Sequence, residues 1–177
     1  GAQFAGWNGD SALTVVIPDA SRPEVVAERE RLSEVTHGSL WAGIARLATA
    51  SHLGEVGAAI QEHIESQGTY GILRDYVGHG IGRKMHEPPT VFNYATGERE
   101  ADVRPGLVVA IEPMVVAGDQ ATFVEDDDWT VTTIDGSAGS HWEHSVAVHD
   151  GGIWVLTAHD GGAAGLAPFG VVPVPIP

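Results

Sequence analysis

The spacing of hydrophobic residues along the chain changes near residue 69, from a helical period to a strand period. Before that point, apolar residues recur at three- and four-residue intervals in two segments, which predicts two amphipathic helices. Ser21-Arg22-Pro23-Glu24 has the pattern of a capping box with Pro in the first turn, and it predicts the start of the first helix. Ser51 and Gly68 are predicted to cap and to end the second helix.

Beyond residue 69, short runs of β-branched and aromatic residues alternate with turn-forming residues, which predicts strands. An amino-terminal hairpin is also predicted, with its turn at Asn8-Gly9 and a β-rich run from Leu13 to Ile17. The other predicted strands are 70–77, 107–111, 129–134, 141–149 and 153–157, the last two joined through Asp150-Gly151. We therefore expect an α+β fold in which two helices pack on one face of a largely antiparallel, curved sheet.

Residues 161–177 are rich in Gly, Ala and Pro and follow neither period. Such a composition predicts a loosely held tail. The chain therefore divides into one domain over residues 1–160 and a tail over residues 161–177.

The composition argues against several classes of protein. A length of 177 residues with 43% hydrophobic residues suits one domain with a sizeable core. The net charge of −15, with only nine Lys and Arg residues, argues against a DNA or RNA partner. The absence of cysteine excludes a disulfide framework and a thiolate metal site. No run approaches the ~18 apolar residues of a membrane span, so we expect a cytoplasmic protein with no membrane partner.

The segment Gly78–Pro89, GHGIGRKMHEPP, carries the first candidates for chemistry. Its glycines remove side chains on both sides of His79, so the backbone can bend and a bulky group can approach the imidazole. A single histidine is usually structural. Two histidines, His79 and His86, on a glycine-broken segment that ends in Glu87 and two prolines instead indicate a functional site.

Two carboxylates downstream fall in apolar surroundings. Glu112 ends the run LVVAI and is followed by a proline, and Glu143 lies in the predicted strand 141–149. Alternation places Glu143 on one face of that strand with Ser145 and Ala147. An exposed cross-strand ion pair is the alternative for Glu143, but neither strand of that hairpin carries Lys or Arg.

Buried carboxylates require compensation by positive charge. A divalent cation held by one imidazole and several carboxylates supplies it, and such a mixed nitrogen and oxygen ligand set suits manganese, iron, cobalt or zinc. The sequence thus predicts a metallohydrolase.

Other polar residues are weaker candidates for a functional site. Asp10 alone is typical of a turn aspartate, and the acidic run 125–128 is typical of a solvated loop, with a loose calcium site as the alternative. Trp129 is either a core residue or the wall of a cavity. Three histidines on the predicted helices are expected to face solvent: His37, His52 and His63.

Four motifs together resemble those of the type I methionine aminopeptidases, which are creatinase-like "pita-bread" metallopeptidases. They are GHGIGRKMHEPPTVFNY, VRPGLVVAIEPMVVAG, DDWTVTTIDGS and HWEHSVAV, in this order. The resemblance covers about residues 1–160 and implies a pita-bread fold. It maps four of the family's five metal ligands onto Asp10, in GWNGDS, and onto His79, Glu112 and Glu143.

The resemblance also implies roles in catalysis. Glu112 would be the general base, and His86 would contact the substrate and the developing oxyanion. We add Trp129 as a hypothetical substrate-side wall. The implied reaction removes the amino-terminal Met from a nascent polypeptide by attack of a water that a divalent cation activates.

The chain departs from the family at its beginning. The family's first ligand aspartate would fall about two positions upstream of Gly1, and about the first third of the family's domain also lies outside this sequence. Residues 1–160 are therefore expected to be the carboxyl-terminal two-thirds of the catalytic domain. We expect one tight metal site here where the complete family site has two, and activity need not survive in this chain alone.

The expected partners are a polypeptide with amino-terminal Met and the ribosome during translation, and the complete protein is expected to be a monomer. Two alternatives stay open. One is an Xaa-Pro aminopeptidase or prolidase of the same superfamily, although IEPM and the Trp-Glu-His triplet favour the methionine enzyme. The other is a peptide-binding module that uses the fold without chemistry.

Overall fold

A computed structural model describes all 177 residues. Its two long helices are α1 (Pro23–Leu47) and α2 (Gly54–Gln67), and a short α3 (Ala163–Leu166) runs into a 3₁₀ turn at Ala167–Phe169. The predicted start of α1 is confirmed, since Pro23 occupies its first turn, but Ser21 does not cap it. The Ser21 amide and hydroxyl instead donate to the Asp19 carboxylate. The helices do not combine the length and the apolarity needed to cross a membrane.

Thirteen short strands make up the β structure. In chain order they are β1 (Ala2–Phe4), β2 (Trp7–Gly9), β3 (Ser11–Ala12), β4 (Gly71–Ile72), β5 (Gly78–Gly80), β6 (Glu87–Val91), β7 (Val108–Ile111), β8 (Met114–Val116), β9 (Thr122–Val124), β10 (Val131–Thr133), β11 (Gly139–His141), β12 (Glu143–His149) and β13 (Gly152–Val155).

The main sheet has the order β13-β12-β7-β5-β6, with β3 on the remaining part of the β12 edge. Its pairings are antiparallel. A second sheet has the order β11-β8-β4, and β1-β2 and β9-β10 are two-stranded. Helices α1 and α2 pack on each other and on one face of the main sheet, which confirms the expected α+β arrangement.

The two faces of the main sheet have different roles. Val109 and Ile111 of β7 and Val146 of β12 join the helices in a core of 21 buried residues. The alternate residues Ala110 and Ser145 lie opposite one another on the other face, and Ala110 also pairs with His79. Because side chains alternate along a strand, the apolar core and the candidate site lie on opposite faces.

The amino-terminal hairpin differs from its prediction. Its turn lies at Ala5-Gly6, both at positive φ (49° and 78°), and not at Asn8-Gly9. Asn8 has another use, because its amide and its Nδ2 both donate to the Gly82 carbonyl at 2.9 Å. The two hydrogen bonds of this tertiary contact stabilise Asn8 outside the turn more than the local turn preference of Asn-Gly stabilises it inside one.

The predicted single strand 141–149 is two strands. His141 ends β11 and pairs with Met114, whereas Glu143 begins β12. Trp142 separates them, and its indole Nε1 donates to the Ser33 hydroxyl on α1 at 3.0 Å. Trp142 belongs to neither strand, and its side chain links this part of the sheet to α1.

The prediction of a loosely held tail is wrong for its first part. Leu166 is fully buried, and a methyl group on Gly161 or Gly165 would overlap the ring of Trp154 or Trp41, respectively. The glycines permit close packing on these indole faces.

The three histidines that were expected to face solvent, His37, His52 and His63, are all only partly exposed. His52 lies just before α2, and its side chain is 23% exposed. The His37 ring stacks on Trp142 with centroids 4.3 Å apart, and its Nε2 accepts a hydrogen bond from Trp41 Nε1 at 2.7 Å. Burial lowers the pKa of His37. His63 packs against Gly38, and burial, followed by the charge of Arg31, lowers its pKa. His37 and His63 therefore lie at the boundary of the core and are only partly in contact with solvent.

Because β5 lies very close to its neighbouring strands, Gly78→Ala is expected to lower the stability of the folded protein strongly. The added methyl group would overlap the Ala110 carbonyl oxygen and crowd Val91. Because these are backbone and core atoms that cannot move aside, we expect a loss of ~2 kcal/mol or more in the free energy of unfolding. The control is Gly9→Ala, which meets no atom within 4 Å and should change the value by less than ~0.5 kcal/mol. Equal effects in urea denaturation would contradict the proposed close contact.

The partial burial of His37 predicts that the stability of the protein depends on pH. The pKa of His37 is lower in the folded than in the unfolded state, so below pH ~6.5 the unfolded chain takes up a proton more readily and stability is lost. His37→Phe should destabilise the protein at pH 7.5, because Trp41 loses its acceptor. The deficit relative to wild type should shrink as the pH falls to 5. Urea denaturation across this range checks it, with the exposed His159→Phe as the control. A constant deficit would contradict it.

Candidate metal centre

His79 lies in the middle of the main sheet, on β5 between β6 and β7. Its ring is buried, and Nδ1 lies 2.9 Å from the Gly80 carbonyl oxygen. A proton on Nδ1 that is donated to this carbonyl leaves the Nε2 lone pair directed away from it, as in a metal-ligating histidine. The glycines around His79 serve the approach of neighbouring strands, since a methyl group on Gly80 would overlap the Pro88 carbonyl.

Glu112 directly follows β7 and is buried between two imidazoles. Its Oε1 lies 3.3 Å from His79 Nε2, and its Oε2 lies 3.4 Å from His141 Nε2. Burial raises the pKa of Glu112, but the close contacts with the His141 and His79 imidazoles and their charge outweigh this effect and leave the pKa lowered. The contact with Glu112 has the opposite effect on the pKa of His79. Burial lowers the pKa of His79, but Glu112 and the Gly80 carbonyl outweigh burial, so the pKa is raised.

Glu143 begins β12 and is 4% exposed. Its Oε1 is buried and has no hydrogen-bond partner. Burial, followed by the charges of Glu112 and Asp10, raises its pKa to about 7. Three carboxylates therefore face one another at this position of the sheet.

Asp10 follows the hairpin and reaches the same region. One of its carboxylate oxygens lies within 4.8 Å of nitrogens of His79 and His86, the same limit that encloses ligand atoms of His79, Glu112 and Glu143. Its Oδ1 also lies 3.3 Å from the amino group of Gly1. The structure thus brings together Asp10, His79, Glu112 and Glu143, which are far apart in the sequence, as two groups that share His79. Their role as metal ligands stays a prediction.

His86 and Trp129 flank this cluster at different distances. The exposed His86 ring stands edge-on to His79, with centroids 4.3 Å apart. Trp129 is 87% exposed and does not belong to the core. It lines a cleft of about 660 Å³ together with Tyr76, Met114 and His141. Because His141 also touches Glu112, this cleft opens beside the carboxylates.

The sequence interpretation missed His141. It occupies the same strand parity as Glu143 and Ser145, and this signal could have placed it on the site face. In the structure it approaches from β11, in the second sheet, and contacts Glu112 on the side opposite His79. Glu112 is therefore held between two imidazoles from different sheets.

The donor set fits a divalent cation. Like charges from two buried carboxylates and Asp10 face one another, and the unpartnered Glu143 Oε1 lacks any protein donor. A cation would satisfy this oxygen and offset the repulsion, with Asp10, His79, Glu112 and Glu143 as its ligands. One nitrogen and several oxygens suit manganese, iron, cobalt or zinc.

Comparison with known proteins agrees with this geometry. The model of metallopeptidase family M24 matches residues 1–150. The chain belongs to this family. It is 42% identical over 157 residues to a methionine aminopeptidase of Clostridium acetobutylicum and 43% identical over 162 residues to methionine aminopeptidase 1 of Mycobacterium tuberculosis. Each match covers 89% of the chain, whereas the chain spans only about 60% of the length of these curated relatives.

Solved structures of methionine aminopeptidases confirm the expected pita-bread α+β fold. Methionine aminopeptidase from Rickettsia prowazekii superposes with a TM-score of 0.79 at 33% identity, and that from Thermotoga maritima with 0.78 at 37% identity. Both matches cover 88% of this chain and 60% of the other. A prolidase from Pyrococcus horikoshii, at 20% identity and a TM-score of 0.60, shares the fold alone.

The convergence on His79 predicts how metal binding fails in a variant. His79→Ala removes the one neutral donor and leaves carboxylates facing one another. Loss of a group that only orients a metal ligand lowers metal affinity by ~10–100-fold, so loss of the ligand itself should lower Mn²⁺ affinity by at least ~100-fold. The exposed His159→Ala should leave affinity unchanged. Isothermal titration calorimetry measures both, and equal affinities of the two variants would contradict the assignment of His79.

Proposed function

We propose that this chain carries the catalytic metal site of a methionine aminopeptidase, which hydrolyses the peptide bond after an amino-terminal Met. The observation that carries the proposal is the convergence of Asp10, His79, Glu112 and Glu143 on one face of the sheet, in a chain related to methionine aminopeptidases. When bound, a divalent cation lowers the pKa of water toward neutrality and polarises the scissile carbonyl.

Glu112 is the proposed general base. Its lowered pKa keeps it ionised and able to accept a proton at neutral pH. His79 and His141 hold its two oxygens, so the carboxylate is fixed in one orientation. After the peptide bond breaks, the same carboxyl group returns the proton to the leaving amine.

His86 is the proposed donor to the oxyanion. It is exposed on the site side of His79, where a substrate carbonyl can reach it, and its ring is anchored by the contact with His79. A hydrogen bond that strengthens as the tetrahedral oxyanion forms accelerates the reaction. Trp129, at the mouth of the adjoining cleft, is proposed to contact the polypeptide substrate.

The number of metal ions and the extent of the catalytic unit are part of the proposal. The four converging ligands supply one complete position, so we propose one tight cation site in this chain and a second, weak one. Residues 1–160 form the proposed catalytic unit, with 161–177 as an appendage that packs through Leu166. The substrate is a nascent chain, so the proposed location is the cytoplasm.

The test compares His86→Ala and wild-type protein loaded with Mn²⁺ or Co²⁺, on a Met-Ala-Ser peptide. Because loss of one oxyanion donor costs a factor of ~10²–10³ in turnover, kcat should fall by at least this order while the metal content stays unchanged. The exposed His159→Ala serves as the control.

The competing assignments give different outcomes. Faster cleavage of an Ala-Pro peptide than of Met-Ala-Ser would support a prolidase-like activity instead. The chain spans only about 60% of the length of its curated relatives. Peptide binding without turnover would therefore support a non-catalytic binding module only if it persisted in a metal-loaded protein that also carries the remaining part of the family's catalytic domain. A His86→Ala protein that loses its metal would make His86 a ligand and not an oxyanion donor.

A further inference from the structure

Ser145 occupies an unusual position on the edge of β12. This edge is shared by two partners: β3 pairs with its beginning, at Glu143 and His144, and β13 pairs with its end, from Val146 onward. Ser145 lies between the two ladders, is 1% exposed, and faces the same side of the sheet as Glu143. The register of β3 against β12 places Asp10 directly opposite Ser145.

The backbone of Ser145 does not pair with Asp10. Its amide donates to the Thr157 hydroxyl at 3.1 Å, and its carbonyl accepts from the Leu156 amide at 2.9 Å. Both groups are therefore committed to the chain that follows β13. The ladder between β3 and β12 would end here, one residue short of Asp10.

The Ser145 hydroxyl replaces the missing ladder pair. It donates to the Asp10 carbonyl at 2.8 Å and accepts from the Asp10 amide at 3.2 Å. One hydroxyl thus uses its single donor and an acceptor lone pair on both backbone groups of the same residue. Asp10 makes no backbone-to-backbone hydrogen bond, so this hydroxyl is the contact that ties its main chain to the sheet.

Asp10 needs such an anchor. Its carboxylate lies within 4.8 Å of His79, whose ring is also surrounded at that distance by Glu112 and Glu143, so acidic side chains crowd one small region and repel one another. Asp10 also sits at the end of a hairpin whose first strand is exposed. A fixed backbone limits how far this repulsion can turn the carboxylate away from His79.

We propose that Ser145 is a positioning residue that fixes Asp10 in the geometry required of a metal ligand; the proposal rests on the metal site described under the proposed function. The Ser145 hydroxyl bonds to the main chain of Asp10 and not to its carboxylate, so Ser145 would affect the metal only through Asp10.

The first test is a comparison of Mn²⁺ affinities by isothermal titration calorimetry. Ser145→Ala should weaken binding by ~10–100-fold, the range for groups that orient a ligand. Ser145→Thr retains the hydroxyl and should stay within ~3-fold of wild type. Ser39→Ala is the matched control, because it removes a buried serine hydroxyl that bonds only within α1, to the Thr36 carbonyl. If Ser145→Ala does not fold, Ser145→Cys, with its weak thiol donor, takes its place with the same expected loss.

A double-mutant cycle separates positioning from general packing. In an Asp10→Ala background the anchor has no carboxylate to orient, so Ser145→Ala should produce no further loss of affinity. An equal loss in both backgrounds, or no loss in either, would overturn the proposal. A Ser145→Thr variant as weak as Ser145→Ala would do the same.

A second measurement does not depend on metal. In the metal-free protein, hydrogen exchange of the Asp10 amide should become faster in Ser145→Ala than in wild type and in Ser145→Thr, because its acceptor is lost. Unchanged exchange would overturn the proposal. If wild-type protein binds no Mn²⁺, the proposed function fails, and this exchange rate still decides the role of Ser145.

Discussion

The repulsion between carboxylates on one face of the sheet is the constraint on which the site depends. Two buried glutamates and a nearby aspartate share a small region, and the pKa of one of them, Glu143, is raised to about 7. A protein tolerates such an arrangement only if the scaffold holds each group against the others. The strand register, the two imidazoles on Glu112 and the hydroxyl of Ser145 all serve this purpose.

The location of the site in the fold could be predicted from sequence because its signals are local. Glycines around His79, an apolar run that ends at Glu112, and alternation around Glu143 each reflect backbone geometry that short-range sequence determines. The resemblance to a known family then supplied Asp10, which by itself is an ordinary turn residue. The structure brings these four side chains together, whereas their individual roles are still predictions.

Most of the errors share one cause, which is that tertiary contacts overrode local preferences; the failed Ser21 cap is the exception, since Ser21 bonds to the nearby Asp19. Asn8 bonds to Gly82 instead of forming the turn, and Trp142 breaks a strand to reach Ser33 on α1. The glycines at the start of the tail resemble a flexible linker in composition, yet they pack on tryptophan rings. Strand parity could have placed His141 on the site face, but its contact with Glu112 joins two sheets, and no spacing in the sequence shows which sheets adjoin.

The amino-terminal hairpin is joined to the rest of the molecule by few contacts near the site. Besides Ser145, these include the bonds of Asn8 to Gly82 and the Arg83 guanidinium, which stacks 3.7 Å from the Trp7 ring centroid. A segment held in this way can open locally at a lower free energy than global unfolding. A cation held by Asp10 and by the ligands on the sheet would link the hairpin to the sheet. Its net binding free energy would then be reduced by the free energy needed to close the hairpin. The affinity for the ion and the mobility of the hairpin would thus both report the equilibrium between the closed and the open hairpin.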